Sequence, residues 1–292
     1  MTKETALFPL TNDAVFKLYF TDVDNKNELK SFLKAMTNLT DDDLKSIEIK
    51  NPTLTKQSVL EKDFIVDIKA ISATGHHINI EVQVQNHDHF IPRIVSYNAR
   101  QYASQLKRGE PYKKLKASIT IVITNFALFN DSGEPYEYIT YRRENGKVFT
   151  SAQQFHILDL TKISNTIKDE KHAWGSLFKA RTEEELRTLM KQSDILEEAG
   201  SKLLKLNEDD YVRQIAQDRA DSEWAWQHTL HATKERAHAE GIEQGIEQGI
   251  EQGQTSKALE IAKSSLENNI PVDTIQKITG LSMETIEKLQ IN

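Results

Sequence analysis

Two alternating segments, Asp63–Ile71 and Ile78–Gln85, flank Ala73-Thr74-Gly75. Side chains alternate faces along a strand and Gly tolerates tight-turn backbone, so the pair reads as an antiparallel hairpin. Centring the turn on Thr74 sets Asp67 opposite Glu81, Ile65 opposite Gln83 and Lys69 opposite Asn79. In that register Phe64, Val66, Ile68, Ile78, Ile80, Val82 and Val84 form an apolar face. Asp63, Asp67, Lys69, Asn79, Glu81, Gln83 and Gln85 occupy the other.

Like charges directly opposed across a hairpin repel, and a hard divalent cation between Asp67 and Glu81 would remove the repulsion. Such a cation polarises phosphoryl oxygens and acidifies bound water. The alternative is a hairpin with one solvated face, whose polar residues need no chemistry. Spacing by itself leaves both readings open.

Around the hairpin the chain reads as mixed α/β. One helix opens at Asn12, a second runs through Glu28–Ala35, and an extended segment from Leu44 to Lys50 stops at Asn51-Pro52. A helix is expected from Phe90 to Arg108, and Ala117–Phe126 has the apolar, β-branched composition of a buried strand. Shorter strands are expected at Tyr136–Tyr141 and Phe155–Leu160. No proline occurs between Pro135 and Pro271, so that stretch is free to be helical. The expected division is a domain over residues 1–168 and a helical region over 169–292. The latter holds the repeat Gly241-Ile-Glu-Gln-Gly245-Ile-Glu-Gln-Gly249-Ile-Glu-Gln-Gly253 and ends in two short helices hinged at Thr279-Gly280, with Ser282 as an N-cap.

The absence of cysteine removes disulfides and thiol nucleophiles and leaves oxygen or histidine as metal ligands. Oxygen donors favour Mg²⁺, with Mn²⁺ as the alternative. Residues 1–125 hold 17 Lys+Arg against 15 Asp+Glu, and the remainder 20 against 29, so an anionic substrate belongs to the head. No run of about 18 apolar residues and no leader-like start is present, so a soluble, cytoplasmic protein without membrane contact is expected.

Asp67 followed by Glu81-Val82-Gln83 resembles the core of the PD-(D/E)XK nuclease superfamily, with Gln83 at the position that is usually Lys. Thr11-Asn12-Asp13-Ala14-Val15-Phe16-Lys17, Asn27-Glu28-Leu29, Ile78–Gln83, Arg93 with Tyr97, and Gly109 with Tyr112 resemble, in order and spacing, its recombination-promoting nuclease (Rpn), transposase-like family. The resemblance covers residues 9–126 well and the tail in style. It implies a restriction-endonuclease-like mixed sheet flanked by helices, which cuts double-stranded DNA with Mg²⁺. Asp67 and Glu81 would be metal ligands, the Val82 carbonyl a third contact, and Gln83 an amide that orients water. Gln carries no charge and cannot serve as a base. Asp13 would add an acidic residue from the first helix; its alternative is a surface pair with Lys17. Glu28 is a weaker candidate of that kind, expected to be solvated.

Arg93, Arg100 and Lys107 recur every seven residues and would form a phosphate-contacting stripe, or else a solvated helix face. Nine histidines show no ligand spacing, and most are expected at the surface. In the tail, four glycines beside Ile242, Ile246 and Ile250 suit close helix pairing, and homodimerisation is expected through them; the alternative is an acidic helical linker. The terminal helices carry Lys277 and Lys288 against Asp273, Glu284 and Glu287, which suits a protein contact more than DNA reading. The resulting expectation is a metal-dependent DNA endonuclease of low sequence specificity, linked to recombination, mobile elements or defence. Its alternative is a nuclease-fold DNA-binding or adaptor protein with negligible cleavage. Target sequence, nicking against double-strand cutting, and the number of metals are left open.

Overall fold

The computed structural model describes residues 6–50, 68–86, 89–131, 133–164 and 166–290. The chain divides into two compact units, Met1–Ser222 and Glu223–Asn292. In the first, six strands form one mixed sheet: β1 (Ile47–Ile49), β2 (Ile68–Ser72), β3 (His77–Gln83), β4 (Ser118–Thr124), β5 (Tyr136–Arg142) and β6 (Val148–Asp159). Their order is β1-β2-β3-β4-β6-β5. β1, β2 and β3 are antiparallel, β3, β4 and β6 are mutually parallel, and β5 returns antiparallel at the edge.

The hairpin has the expected register over its described residues: Ile68 pairs with Ile80, Lys69 with Asn79 and Ala70 with Ile78. Gly75 takes φ +93° at the turn, a conformation that favours glycine. The turn is pinned from outside. Asp43 accepts hydrogen bonds from the Thr74 hydroxyl and from the Thr40 amide and hydroxyl, the latter two at 2.7 Å. Burial alone would raise its pKa, but these bonds and nearby His76 more than offset that and bring it to about 2.

One face of the sheet packs on α1 (Asp13–Thr21), α2 (Lys26–Met36), α4 (Glu170–Lys179) and α6 (Asp194–Glu208). Asn12 caps α1 by accepting from the Ala14 and Val15 amides, as its sequence position suggests. Phe16, Phe20, Phe32, Trp174 and Phe178 form a contiguous aromatic cluster, with Phe16–Phe20 edge-to-face at 5.0 Å and Phe32–Trp174 at 5.4 Å. Ile78, Ile80, Ile119, Ile121, Ile123 and Leu158 meet it from the strands. α5 (Glu183–Met190) joins the same core through Leu186. The boundary expected at residue 168 therefore falls inside the first unit, because α4 to α6 carry buried aromatic and leucine side chains the sheet would otherwise expose to water. Glu28, expected at the surface, is 3% exposed and pairs with Lys202 Nζ of α6 at 2.6 Å. A carboxylate enclosed in that layer needs such a cation.

α7 (Asp210–Glu267) begins in the first unit, where Val212, Ile215 and Ala216 are buried. In the second unit, its end packs with α8 (Val272–Thr279) and α9 (Met283–Gln290) around Ala262, Ile275 and Ile286. Gly280 has φ +72° after α8, and the Ser282 hydroxyl accepts from the Thr285 amide, so the hinge and cap expected there are present.

His156 and His172 are exceptions to the expectation that most histidines lie at the surface, and both are buried. The His156 ring lies 2.7 Å from the Tyr136 hydroxyl and 5.0 Å from the Tyr138 ring. Burial, with Lys171 nearby, lowers its pKa to about 4 although Met36 opposes this. Between about pH 6.5 and 4 the unfolded chain binds a proton that the folded chain refuses, so stability falls as pH falls through this window. His156→Gln should flatten the pH dependence of the urea midpoint there, which in the parent chain reflects up to about 3 kcal/mol from this group.

Candidate active site

β3 supplies the site. Its even-numbered residues Ile78, Ile80 and Val82 face the aromatic layer, which directs Asn79, Glu81 and Gln83 to the opposite face. That face is not solvated. α3 (Phe90–Ala103) crosses between parallel β3 and β4 and lies on it, leaving Asn79 2% and Glu81 7% exposed. Phe90 and Ile94 of α3 pack on Val122 and Ile157.

The helix is seated by a polar network. Asn98, fully buried, donates to the Ser118 carbonyl at 3.0 Å and the Thr120 hydroxyl at 2.9 Å, and accepts from the Gln153 amide at 2.9 Å. Gln101 donates to Asn79 Oδ1 at 2.7 Å and accepts from the Ser118 hydroxyl at 2.5 Å. Neither residue was singled out from sequence, although both share the helical stripe of Ile94, at spacings of four and seven. A polar side chain on the inward stripe of a helix is the signal that identifies such pegs.

This seating delivers Arg93 from the first turn of α3 to the end of β3. Its Nη2 donates to Glu81 Oε1 at 2.5 Å and Gln83 Oε1 at 2.7 Å, while its guanidinium carbon lies 5.2 Å from the Phe90 ring centre. Burial pushes the Glu81 carboxyl above the usual carboxylate range, and the Arg93 charge and hydrogen bond offset only part of this. Glu81 and Gln83 thus present oxygens to one shared cation.

The remaining candidates are distributed differently. Asp67, and with it the Asp67–Glu81 and Ile65–Gln83 pairings, lies outside the described residues. Val82 holds its place in the β3–β4 ladder opposite Ile123. Asp13 pairs with Arg219 of α7 at 3.4 Å, and the neighbouring Asn12 side chain donates to the Ala216 carbonyl. Arg100 is exposed on α3. The helix ends at Ala103, earlier than the expected Arg108, so Lys107 does not continue its stripe. Just past that end, the Gln105 side-chain amide bonds both the amide and the carbonyl of Lys116. Lys107, Arg108, Lys113, Lys114 and Lys116 are exposed on the strap that follows, with Tyr112 83% exposed.

Asp159 also escaped the sequence reading. The register aligns it across Thr124 with Gln83, at the carboxyl ends of β6, β4 and β3. Its Oδ1 accepts from the Thr161 amide and hydroxyl and its Oδ2 lies 3.4 Å from Lys162 Nζ, which makes it the cap of the turn that ends the sheet. Its position at the end of an apolar strand concealed it.

The donors at the end of β3 suit a hard divalent cation. They are oxygens, one belongs to a desolvated acid, and a guanidinium already supplies positive charge between them. Among the described residues no three His, Asp or Glu side chains gather at one point. Also among them, no helix is long and apolar enough to cross a membrane.

A family model described as PD-(D/E)XK nuclease family transposase matches residues 10–233. No curated protein and no solved structure matches the chain.

Asn98→Leu removes a peg and strands the groups it served. It should lower unfolding stability by about 2–3 kcal/mol, measured by urea denaturation. A change below about 0.5 kcal/mol would show that α3 is seated by its apolar contacts instead.

Proposed function

The chain belongs to the PD-(D/E)XK nuclease family transposases, and from that membership we propose that it is a Mg²⁺-dependent endonuclease of double-stranded DNA with little sequence preference. The observation that carries the reading is the convergence of buried Glu81 and half-buried Gln83 on one cation at the carboxyl end of β3. Asp67 directly precedes β2, whose register sets Ile68 against Ile80, and it is proposed as the second carboxylate beside Glu81. Asp67, Glu81 and the Val82 carbonyl would hold the metal, with Mn²⁺ as a substitute. When bound, the metal supplies Lewis acidity toward the phosphate and a more acidic water.

The chain's own groups do the positioning. The Gln83 amide accepts and donates hydrogen bonds without taking a proton, so it orients the attacking water instead of deprotonating it. Glu81 is kept in place by the β3 ladder. Exposed Arg100 on α3, and Lys107 on the strap, are proposed to hold backbone phosphates, which positions duplex without reading bases. Asp13, paired with Arg219, is proposed as a supporting acid near the start of α1. The setting consistent with this activity is the cytoplasm, in recombination, mobile-element movement or defence.

Conversion of supercoiled plasmid is the direct test. Wild type should nick it with Mg²⁺ or Mn²⁺ and not with EDTA, and Glu81→Ala and Asp67→Ala should each reduce the rate about 100-fold or more. Retention of DNA binding with no metal-dependent nicking would instead identify a nuclease-fold binding protein.

A second proposal concerns the repeat. Ile242, Ile246 and Ile250 are 51%, 59% and 56% exposed, and open space surrounds Gly241, Gly245, Gly249 and Gly253. Each interior glycine costs a helix about 1 kcal/mol relative to Ala, which close packing against a second copy would offset. A four-residue period favours a right-handed crossing. Light scattering should return twice the chain mass, and Ile246→Glu with Ile250→Glu should return the monomer mass. A monomeric wild type at tens of micromolar would refute the pairing.

A further inference from the structure

Arg93 is unexplained by hydrolysis alone. One of its nitrogens spans the two oxygens, on Glu81 and Gln83, that the proposed function gives to a metal and to its water. A metal on Glu81 Oε1 and a water on Gln83 Oε1 would compete with Arg93 for those two oxygens. The side chain reaches the rim of the site at 29% exposure, so it has room to leave toward solvent. Its Nε is buried without a hydrogen-bond partner, so the guanidinium has not used its full set of donors here.

Two opposing forces act on this cation. Arg93 lies in the first turn of a 14-residue helix, where the positive end of the helix dipole disfavours a cation and favours an anion. The Glu81 carboxylate, desolvated beneath that helix, holds the guanidinium there nonetheless. Once another cation satisfies Glu81, the charge that opposes the dipole is neutralised, and a phosphate becomes a better partner than the neutral Gln83 amide for a planar, forked donor.

We propose that Arg93 is an exchangeable cation: it occupies Glu81 and Gln83 in the free protein and transfers to a DNA phosphate when a divalent cation takes the carboxylate. This rests on the proposed metal role of Glu81 and adds to it a coupling between metal and DNA. Exchange makes each ligand assist the other, because either one removes a partner for which Arg93 would otherwise compete, and linkage requires the effect to be reciprocal. Arg93 is here a positioning and coupling residue, since the exchange involves no covalent step.

The test uses the full chain and two binding measurements. Mn²⁺ alone is titrated calorimetrically into wild type, Arg93→Gln, Arg93→Lys, Arg100→Gln and Glu81→Ala. A fluorescein-labelled 20-base-pair duplex is titrated by anisotropy in EDTA and in Ca²⁺, with gels confirming that it stays intact. Arg93→Gln should bind Mn²⁺ about 5- to 10-fold more tightly than wild type, Arg93→Lys should fall between, and Glu81→Ala should lose the site. Ca²⁺ should tighten duplex binding by wild type about 5- to 10-fold more than it tightens binding by Arg93→Gln, where only the metal's own contact with phosphate remains. Arg100→Gln removes the same charge from the exposed face of the helix, so it should weaken duplex binding equally in both conditions and leave Mn²⁺ affinity near wild type. If Arg93→Gln is unfolded by circular dichroism, Arg93→Lys against wild type decides the same comparison.

Mn²⁺ affinity no tighter in the Arg93 variants than in wild type, with binding still lost in Glu81→Ala, overturns the exchange and leaves the metal site standing. A Ca²⁺-dependent gain in duplex binding as large in Arg93→Gln as in wild type also overturns it. Mn²⁺ binding that Glu81→Ala does not alter overturns the metal site itself, and the exchange with it.

Discussion

Burial of the Glu81 carboxylate is the constraint around which this site is arranged. An ionised acid beneath a helix loses its hydration and must be matched by a cation with good geometry. The match comes from Arg93, and Arg93 arrives only if α3 sits at one rotation on the sheet. Apolar contacts from Phe90 and Ile94 would tolerate some rotation, whereas the hydrogen bonds of Asn98 and Gln101 to Ser118, Thr120 and Asn79 do not. A polar network several residues away thereby seats the helix that brings Arg93 to Glu81.

The two faces of the sheet divide the work. The face toward α1, α2, α4 and α6 is dominated by large aromatic and aliphatic side chains and supplies most of the buried apolar area. The opposite face can then afford polar groups at β3 without losing the fold. Glu81 is one of several buried acids among the described residues. Glu28 is enclosed as fully as Glu81, but its partner Lys202 ties α2 to α6, and Asp159 caps a turn through Oδ1 while its Oδ2 lies 3.4 Å from Lys162 Nζ. Glu81 is set apart by its neighbour Gln83, which shares its cation, and by an arginine that reaches the rim.

Local pattern carried much of the architecture. Asn12 as a cap, the register of Ile68 with Ile80, the buried run of Ser118–Thr124 and the hinge at Gly280 all depend on residues close in sequence, and all were legible. The family's ordered motifs also drew attention to Glu81, Gln83 and Arg93, which the structure brings together. Reading Arg93 as one member of a phosphate stripe with Lys107 failed to foresee its contact with Glu81, because seven-residue spacing describes a helix face but not what covers it. The stripe itself stops early because the helix ends at Ala103, beyond which Gln105 bonds Lys116, a partner eleven residues away.

Sequence alone determined which residues alternate, which cap and which must be hidden, because these follow from backbone periodicity and from transfer of side chains out of water. Tertiary structure decided which polar residues were hidden with them. The face bearing Asn79, Glu81 and Gln83 has the composition of a solvated strand face, and only the docking of α3 makes it an interior. Once that face is enclosed, the low dielectric turns an ordinary hydrogen-bonding pattern into an obligatory pairing of Glu81 with a cation.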